Sequence, residues 1–216
     1  HTWRLYINML KKVLQNTLFD IMICCLLAIP IITFIEFVPI YHKIEVNGYE
    51  IKVSDYLTKK ITDKEIEKSF TSIVNHVPEK ILNDFYNEKF SINYINPKQS
   101  LITKESSGNF NADIKKIFIR TDYIDANGID IILLHELGHY VDYKLDYVSK
   151  SEEFKTICEE EVKNMWKYNE FYSSSEQYFA QSFAYYIYQD VSSEYKSMMV
   201  NTPRTYEYIK NCIENY

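Results

Sequence analysis

In LLHELGHYVDY (residues 133–143), His135 and His139 stand four residues apart, and Glu136 follows the first directly. On a helix of 3.6 residues per turn the two histidines stack on one face, so two imidazole nitrogens converge on one point. Glu136 is turned by about 100° from His135, near that point but not on it. Imidazoles suit a borderline-soft divalent ion, and a carboxylate beside it can take a proton from a water. His-Glu-x-x-His is the pattern in which zinc hydrolases combine these groups. The ion lowers the pKa of water toward about 7 and polarises a carbonyl. The expectation is one Zn2+ per chain on His135 and His139, with Glu136 as general base and then acid toward a leaving amine.

Two imidazoles need a third ligand and an open fourth position. No histidine follows His139, and His1, His42 and His76 lie upstream without useful spacing. The third ligand is therefore expected to be a carboxylate on a later helix. In SSSEQYFAQSFAYY (residues 173–186), Phe179, Phe183, Tyr186 and then Ile187 make an apolar stripe at helical spacing. Glu176 falls on that stripe, whereas Gln177 and Gln181 fall nearly opposite. A carboxylate heading an apolar stripe is costly unless paired or metal-bound, which points to Glu176. Gly138 costs about 1 kcal/mol relative to Ala in mid-helix. Something is thus expected to pack closely there, such as a strand or a substrate chain. Asp142, one turn after His139, is placed to accept a hydrogen bond behind the metal site.

These residues need a scaffold, and the pattern along the chain supplies one. KIEVNGYEIKV (residues 43–53) alternates around Asn47-Gly48, a two-residue hairpin signal. Thr62 to Glu65 is a capping box opening a helix to about Asn75, and Pro78 suits the first turn of a second helix reaching about Glu88. Residues 90–96 and 114–123 alternate as strands, and 101–111 has the composition of a loop. Asp125, Asn127 and Gly128 are turn and cap residues before the motif helix. Further helices are expected over 152–168, 174–188 and 203–215. The fold class is α+β: a mostly helical zincin-like domain with a small sheet and the motif on a central helix.

Composition narrows the function classes. Of 216 residues 46% are hydrophobic, with 20 Tyr and 12 Phe but only 4 Gly and 5 Pro, enough apolar material for a core and little for linkers. The net charge is −6 and no basic cluster appears, so nucleic acid is excluded as a partner. There is no Cys-x-x-Cys, which excludes a thiolate zinc site, and whether Cys158 and Cys212 pair is left open.

Residues 1–40 stand apart. Lys11 and Lys12 precede fourteen uncharged residues, Ile21 to Phe34, the order of a signal peptide's basic and apolar regions. Flanking residues extend the run to 18–40, toward the roughly 20 that a spanning helix needs. The expectation is a cleaved signal or a retained membrane anchor at 1–40, with a zincin-like metalloprotease domain at 41–216. With the lysines inside, the domain lies outside the cell, secreted or anchored.

HELGHYVDY, SEEFKTICEEEV, SSSEQYFAQSFAYY and NTPRTYEYIKNCI together resemble the anthrax lethal factor protease-domain family, which includes small secreted Pro-Pro endopeptidases of clostridia. The resemblance runs from about Tyr41 to the C-terminus and is most specific in the last hundred residues. It implies a zinc endopeptidase domain, mostly helical with a small sheet; the expectation for partners is an extracellular protein or peptide substrate, met by a monomer. A glutamate would be the third ligand, a tyrosine shortly upstream would stabilise the oxyanion, and the strand before the motif helix would line the cleft. The chain departs from that pattern where the ligand should be. Aligning Tyr178 to Ala180 puts Gln177 at the ligand position and Gln181 at a second glutamate. Three readings follow: Glu176 serves after a local shift, Gln177 ligates weakly, or the site is impaired and the domain only binds peptides or partners. Tyr172 is the candidate for the tyrosine.

Overall fold

The computed structural model describes residues 40–55, 61–96, 106–122, 128–165 and 167–216. The apolar run at 21–34 and the turn residues Asp125 and Asn127 lie outside the described residues. Among the described residues no helix is long and apolar enough to cross a membrane.

Strands β1 (Tyr41–Val46) and β2 (Tyr49–Ser54) form the expected hairpin. Asn47 and Gly48 both take positive φ (51° and 86°), as a turn matching the strand twist requires. The capping box is formed at the start of α1 (Asp63–His76), where Thr62 and Glu65 satisfy each other's backbone N–H. Pro78 caps α2 (Glu79–Asn87). Strand β3 (Ser91–Ile95) follows, then β4 (Gly108–Asn111) and β5 (Lys116–Arg120). The motif helix is α3 (Ile129–Lys144). After it come α4 (Glu152–Glu161), α5 (Ser175–Ile187), two single turns α6 (Ser193–Lys196) and α7 (Met198–Asn201), and α8 (Pro203–Glu214).

The sheet order is β1-β2-β3-β5-β4. β3 runs parallel to both β2 and β5, while β1 and β4 are antiparallel to their neighbours. This is the expected α+β class, with two differences that bear on the site. The segment 101–111 contains a strand, β4, although its residues Gly-Asn-Phe-Asn have low β-propensity. Tertiary contacts override composition there. Phe110 stacks on Phe90 (ring centroids 5.8 Å) and meets Tyr140 edge-on (6.1 Å), which fastens the strand to α3. In addition, β5 is an interior strand, so the sheet edge beside α3 belongs to β4.

α3 lies between this edge and α5, and twelve of its sixteen residues are buried. Arg120, itself buried, forks onto Asp122 (3.0 and 3.2 Å) and donates to the Ser106 carbonyl (3.4 Å). It thereby ties the end of β5 to the entry of β4.

Candidate active site

α3 brings His135 and His139 together as their spacing requires: the rings meet edge to face with centroids 4.9 Å apart. Burial holds both imidazoles neutral, with the pKa of His135 lowered and that of His139 pushed down to about 3, the neighbouring ring adding to the effect on His139. Neutral imidazoles keep a lone pair for a cation at ordinary pH. Native histidines that resist protons make stability fall with acid, because the unfolded chain binds those protons more readily. With a chelator present, the histidines' contribution to stability is expected to be full above pH 6.5 and to be lost as pH falls from there toward 3. Urea midpoints across that window would check it.

Glu136 is 5% exposed and points toward β4. Burial pushes its carboxyl up to about 8, partly offset by a hydrogen bond from the Phe110 backbone N–H. A Cβ on Gly108 would stand 2.5 Å from Glu136 Oε1, so glycine there is what lets the strand approach the carboxylate. A cavity of about 490 Å³ opens on this group, walled by β4 and the turn after it, by His135, Glu136 and His139, and by Phe171 and Gln177.

The opposite wall is α5, and its close approach explains Gly138. A Cβ at 138 would lie 2.8 Å from the Cα and carbonyl oxygen of Ala180, so the neighbour that position requires is the α5 backbone. Gly138→Ala should raise helix propensity by about 1 kcal/mol yet destabilise overall by about 1–3 kcal/mol, because two packed helices must part. Chemical denaturation would read the sign.

The third-ligand candidates on α5 are placed as follows. Gln177 Oε1 lies 2.9 Å from His135 Nε2, and Gln181 Oε1 lies 3.0 Å from His135 Nδ1. Glu176, one residue earlier, reaches Lys150 at 3.6 Å and is 39% exposed. The stripe that pointed to Glu176 does not exist as one face: residues 178–185 of α5 are buried on all sides, between α3, α4 and α8. Among the described residues no cluster of three His, Cys, Asp or Glu could hold a metal. Tyr172 sits in the 3-10 turn Glu170–Ser173 with its ring centroid 6.3 Å from that of His135. Its neighbour Phe171, 58% exposed, lines the cavity, and sequence pattern gave no sign of that role.

Asp142 has a different task from the one expected. Both oxygens are taken by Ser149, from its N–H (2.8 Å) and its hydroxyl (2.6 Å). That pins the turn where Asp146 and Tyr147 hold positive φ (57° and 58°) beside the cavity mouth. Cys158 and Cys212 are both free, and burial pushes each thiol up to about 11, so neither is a nucleophile at neutral pH.

The donor set fits a divalent cation, though with a weaker hold than three strong ligands give. Two neutral imidazoles and an amide oxygen converge beside a buried glutamate, and the amide is the weak member. Residues 107–212, just under half of the chain, match the profile of the family described as anthrax toxin lethal factor, N- and C-terminal domain. A Pro-Pro endopeptidase of Clostridioides difficile (strain 630) is 39% identical over 80 residues, covering 36% of this chain and 35% of that protein. The match thus spans only about a third of that relative's length. Among solved structures, a Pro-Pro endopeptidase from Paenibacillus alvei superposes with a TM-score of 0.57 at 19% identity, over 74% of this chain and 96% of that one. That likeness speaks for the fold. Residues 107–212 thus resemble the anthrax lethal factor family in sequence, and Pro-Pro endopeptidases are among the proteins to which this chain is similar in sequence and in fold.

Proposed function

We propose that the chain is a zinc endopeptidase that acts, as a monomer, on an extracellular protein or peptide. The observation that carries this reading is the buried Glu136 carboxyl set beside two neutral imidazoles on the wall of a cavity whose other side is a strand edge. His135 and His139 would hold the cation. When bound it would polarise the scissile carbonyl, acidify a water and favour the ionised form of Glu136.

The chain's own residues supply the rest. The outer edge of β4 offers backbone groups on which an extended peptide can pair as an added strand. Glu136 then takes a proton from the attacking water and returns it to the departing amine. Tyr172 would donate its hydroxyl to the oxygen that gains charge. Phe171 and the β4 backbone narrow the approach, which limits water around the reacting carbonyl. Glu176, the carboxylate expected as third ligand, would have to leave Lys150 to reach the imidazoles, whereas Gln177 already stands beside them.

We place the domain outside the cell, secreted or held by residues 18–40, on the strength of Lys11 and Lys12 preceding the apolar run. N-terminal sequencing of exported protein would show a start beyond that run if it is cleaved.

A second reading is a peptide-binding domain without catalysis, favoured by Gln177 sitting where a carboxylate would hold the cation better. One experiment separates the two. A peptide library is incubated with the protein, with and without chelator, and zinc is measured by elemental analysis. About one zinc per chain with chelator-sensitive cleavage supports the peptidase. Peptide binding that persists in chelator, with no cleavage at any zinc concentration, supports the second reading and overturns the first.

A further inference from the structure

His135 is held on both ring nitrogens by amides from one helix. Gln177 and Gln181 are four residues apart on α5, so they share a face as His135 and His139 do on α3. The two pairs interlock where Gly138 lets the helices touch at Ala180, between the two glutamines. His135 and Gln181 are 8% and 2% exposed, so water cannot replace either partner cheaply.

We propose that Gln177 and Gln181 form a neutral amide clamp on His135, in which Gln181 fixes the tautomer and Gln177 alternates between closing the cation edge and serving as the third donor. A neutral imidazole carries one N–H and one lone pair, so it donates to one amide and accepts from the other. An amide presents oxygen or NH2 by a half-turn about its last bond. Gln181 is enclosed and sits behind the ring, where it accepts from Nδ1–H. Nε2 then keeps its lone pair toward the cavity. Without a cation, Gln177 turns its NH2 to that lone pair and closes the site with both ring nitrogens of His135 paired. With a cation, the same amide turns its oxygen inward. A glutamate at 177 could do only the second.

Two consequences follow. The fold does not need the metal, because the closed clamp leaves no bare buried charge. Binding is weak and reversible, because the entering ion must displace a hydrogen bond and receives an amide oxygen in return. The Gln177 half of the proposal rests on the metallopeptidase reading; the Gln181 half does not.

The test uses the full chain and zinc alone as the probe. In chelator, two-bond 15N–1H correlation spectra of His135 should show the Nδ1–H tautomer in the wild type. Gln181→Leu should mix the two tautomers, and Gln181→Met serves if that variant folds poorly. Zinc affinity is then measured by competition with a chromophoric chelator. Gln177→Glu should tighten binding by about tenfold or more and Gln177→Ala should weaken it, while Glu176→Ala should leave it unchanged. An unaltered tautomer in both Gln181 variants overturns the clamp. Equal affinities in the wild type, Gln177→Glu and Gln177→Ala overturn Gln177 as donor, as does a loss confined to Glu176→Ala. Zinc binding absent from every variant, Gln177→Glu included, defeats the peptidase reading instead, and the tautomer spectra still judge the Gln181 half.

Discussion

Glu136→Gln is expected to lower kcat by about 10²–10⁴-fold, with zinc content and KM near wild type. The amide keeps the shape of the side chain and can still accept from the Phe110 N–H, so β4 stays in place. It cannot take a proton from water or return one to an amine. A loss confined to kcat is the signature of an interaction made in the transition state. Stability offers a second readout. The carboxyl of Glu136 is raised from 4.5 to about 8, so the native state holds a proton that the unfolded chain releases in between. Stability from this residue is therefore present below pH 4.5 and is lost as pH rises through 8. In chelator the variant should lack that decline and be the more stable protein at alkaline pH. Full hydrolysis by Glu136→Gln would remove the residue from the mechanism, and a parallel decline in both proteins would place its carboxyl elsewhere.

The motif helix, the Asn47-Gly48 hairpin, and the Thr62 and Pro78 helix starts were legible because each is set by neighbours within a few residues. Spacing alone stacks His135 on His139, and a capping box closes on itself. β4 was not legible. What makes Gly-Asn-Phe-Asn a strand is the ladder with β5 and the stacking of Phe110 on Phe90 and Tyr140, all distant in sequence. The glutamines illustrate the other limit. Periodicity assigns sides to a helix only when one side faces water, and α5 is surrounded. The polar residues of such a helix mark the site, not the solvent. Gly138 signalled a close neighbour correctly, but only the fold could say that the neighbour is the backbone of Ala180 and that the contact sets Gln177 and Gln181 around His135.

Glu161→Ala should destabilise the protein by about 3–5 kcal/mol, a large part of the roughly 5–15 kcal/mol that holds a domain together. Glu161 ends α4, yet its carboxylate faces the start of α8, where it accepts from the N–H of Arg204 (3.1 Å), the N–H of Thr205 (2.9 Å) and the Thr205 hydroxyl (2.8 Å). A helix start leaves its first N–H groups without partners and carries partial positive charge. Here one buried side chain serves as the cap that Thr202 does not supply from within the helix. Removing it leaves three donors without that partner, the two of Thr205 away from water, and each unsatisfied buried group costs about 1–3 kcal/mol. The damage also reaches the site. Thr205 bonds the Tyr178 hydroxyl at 2.7 Å, and Tyr178 follows Gln177 on α5. Loosening α8 therefore loosens the helix that clamps His135. Urea unfolding should show a lower midpoint with unchanged slope, and zinc affinity should weaken with it although Glu161 never touches the cavity. Glu161→Gln separates the two contributions: its amide oxygen still accepts, so it should recover part of the stability, and the deficit that remains measures the charge at the helix start. A full loss in Glu161→Gln would mean that the charge, not the hydrogen bonds, holds α8 in place.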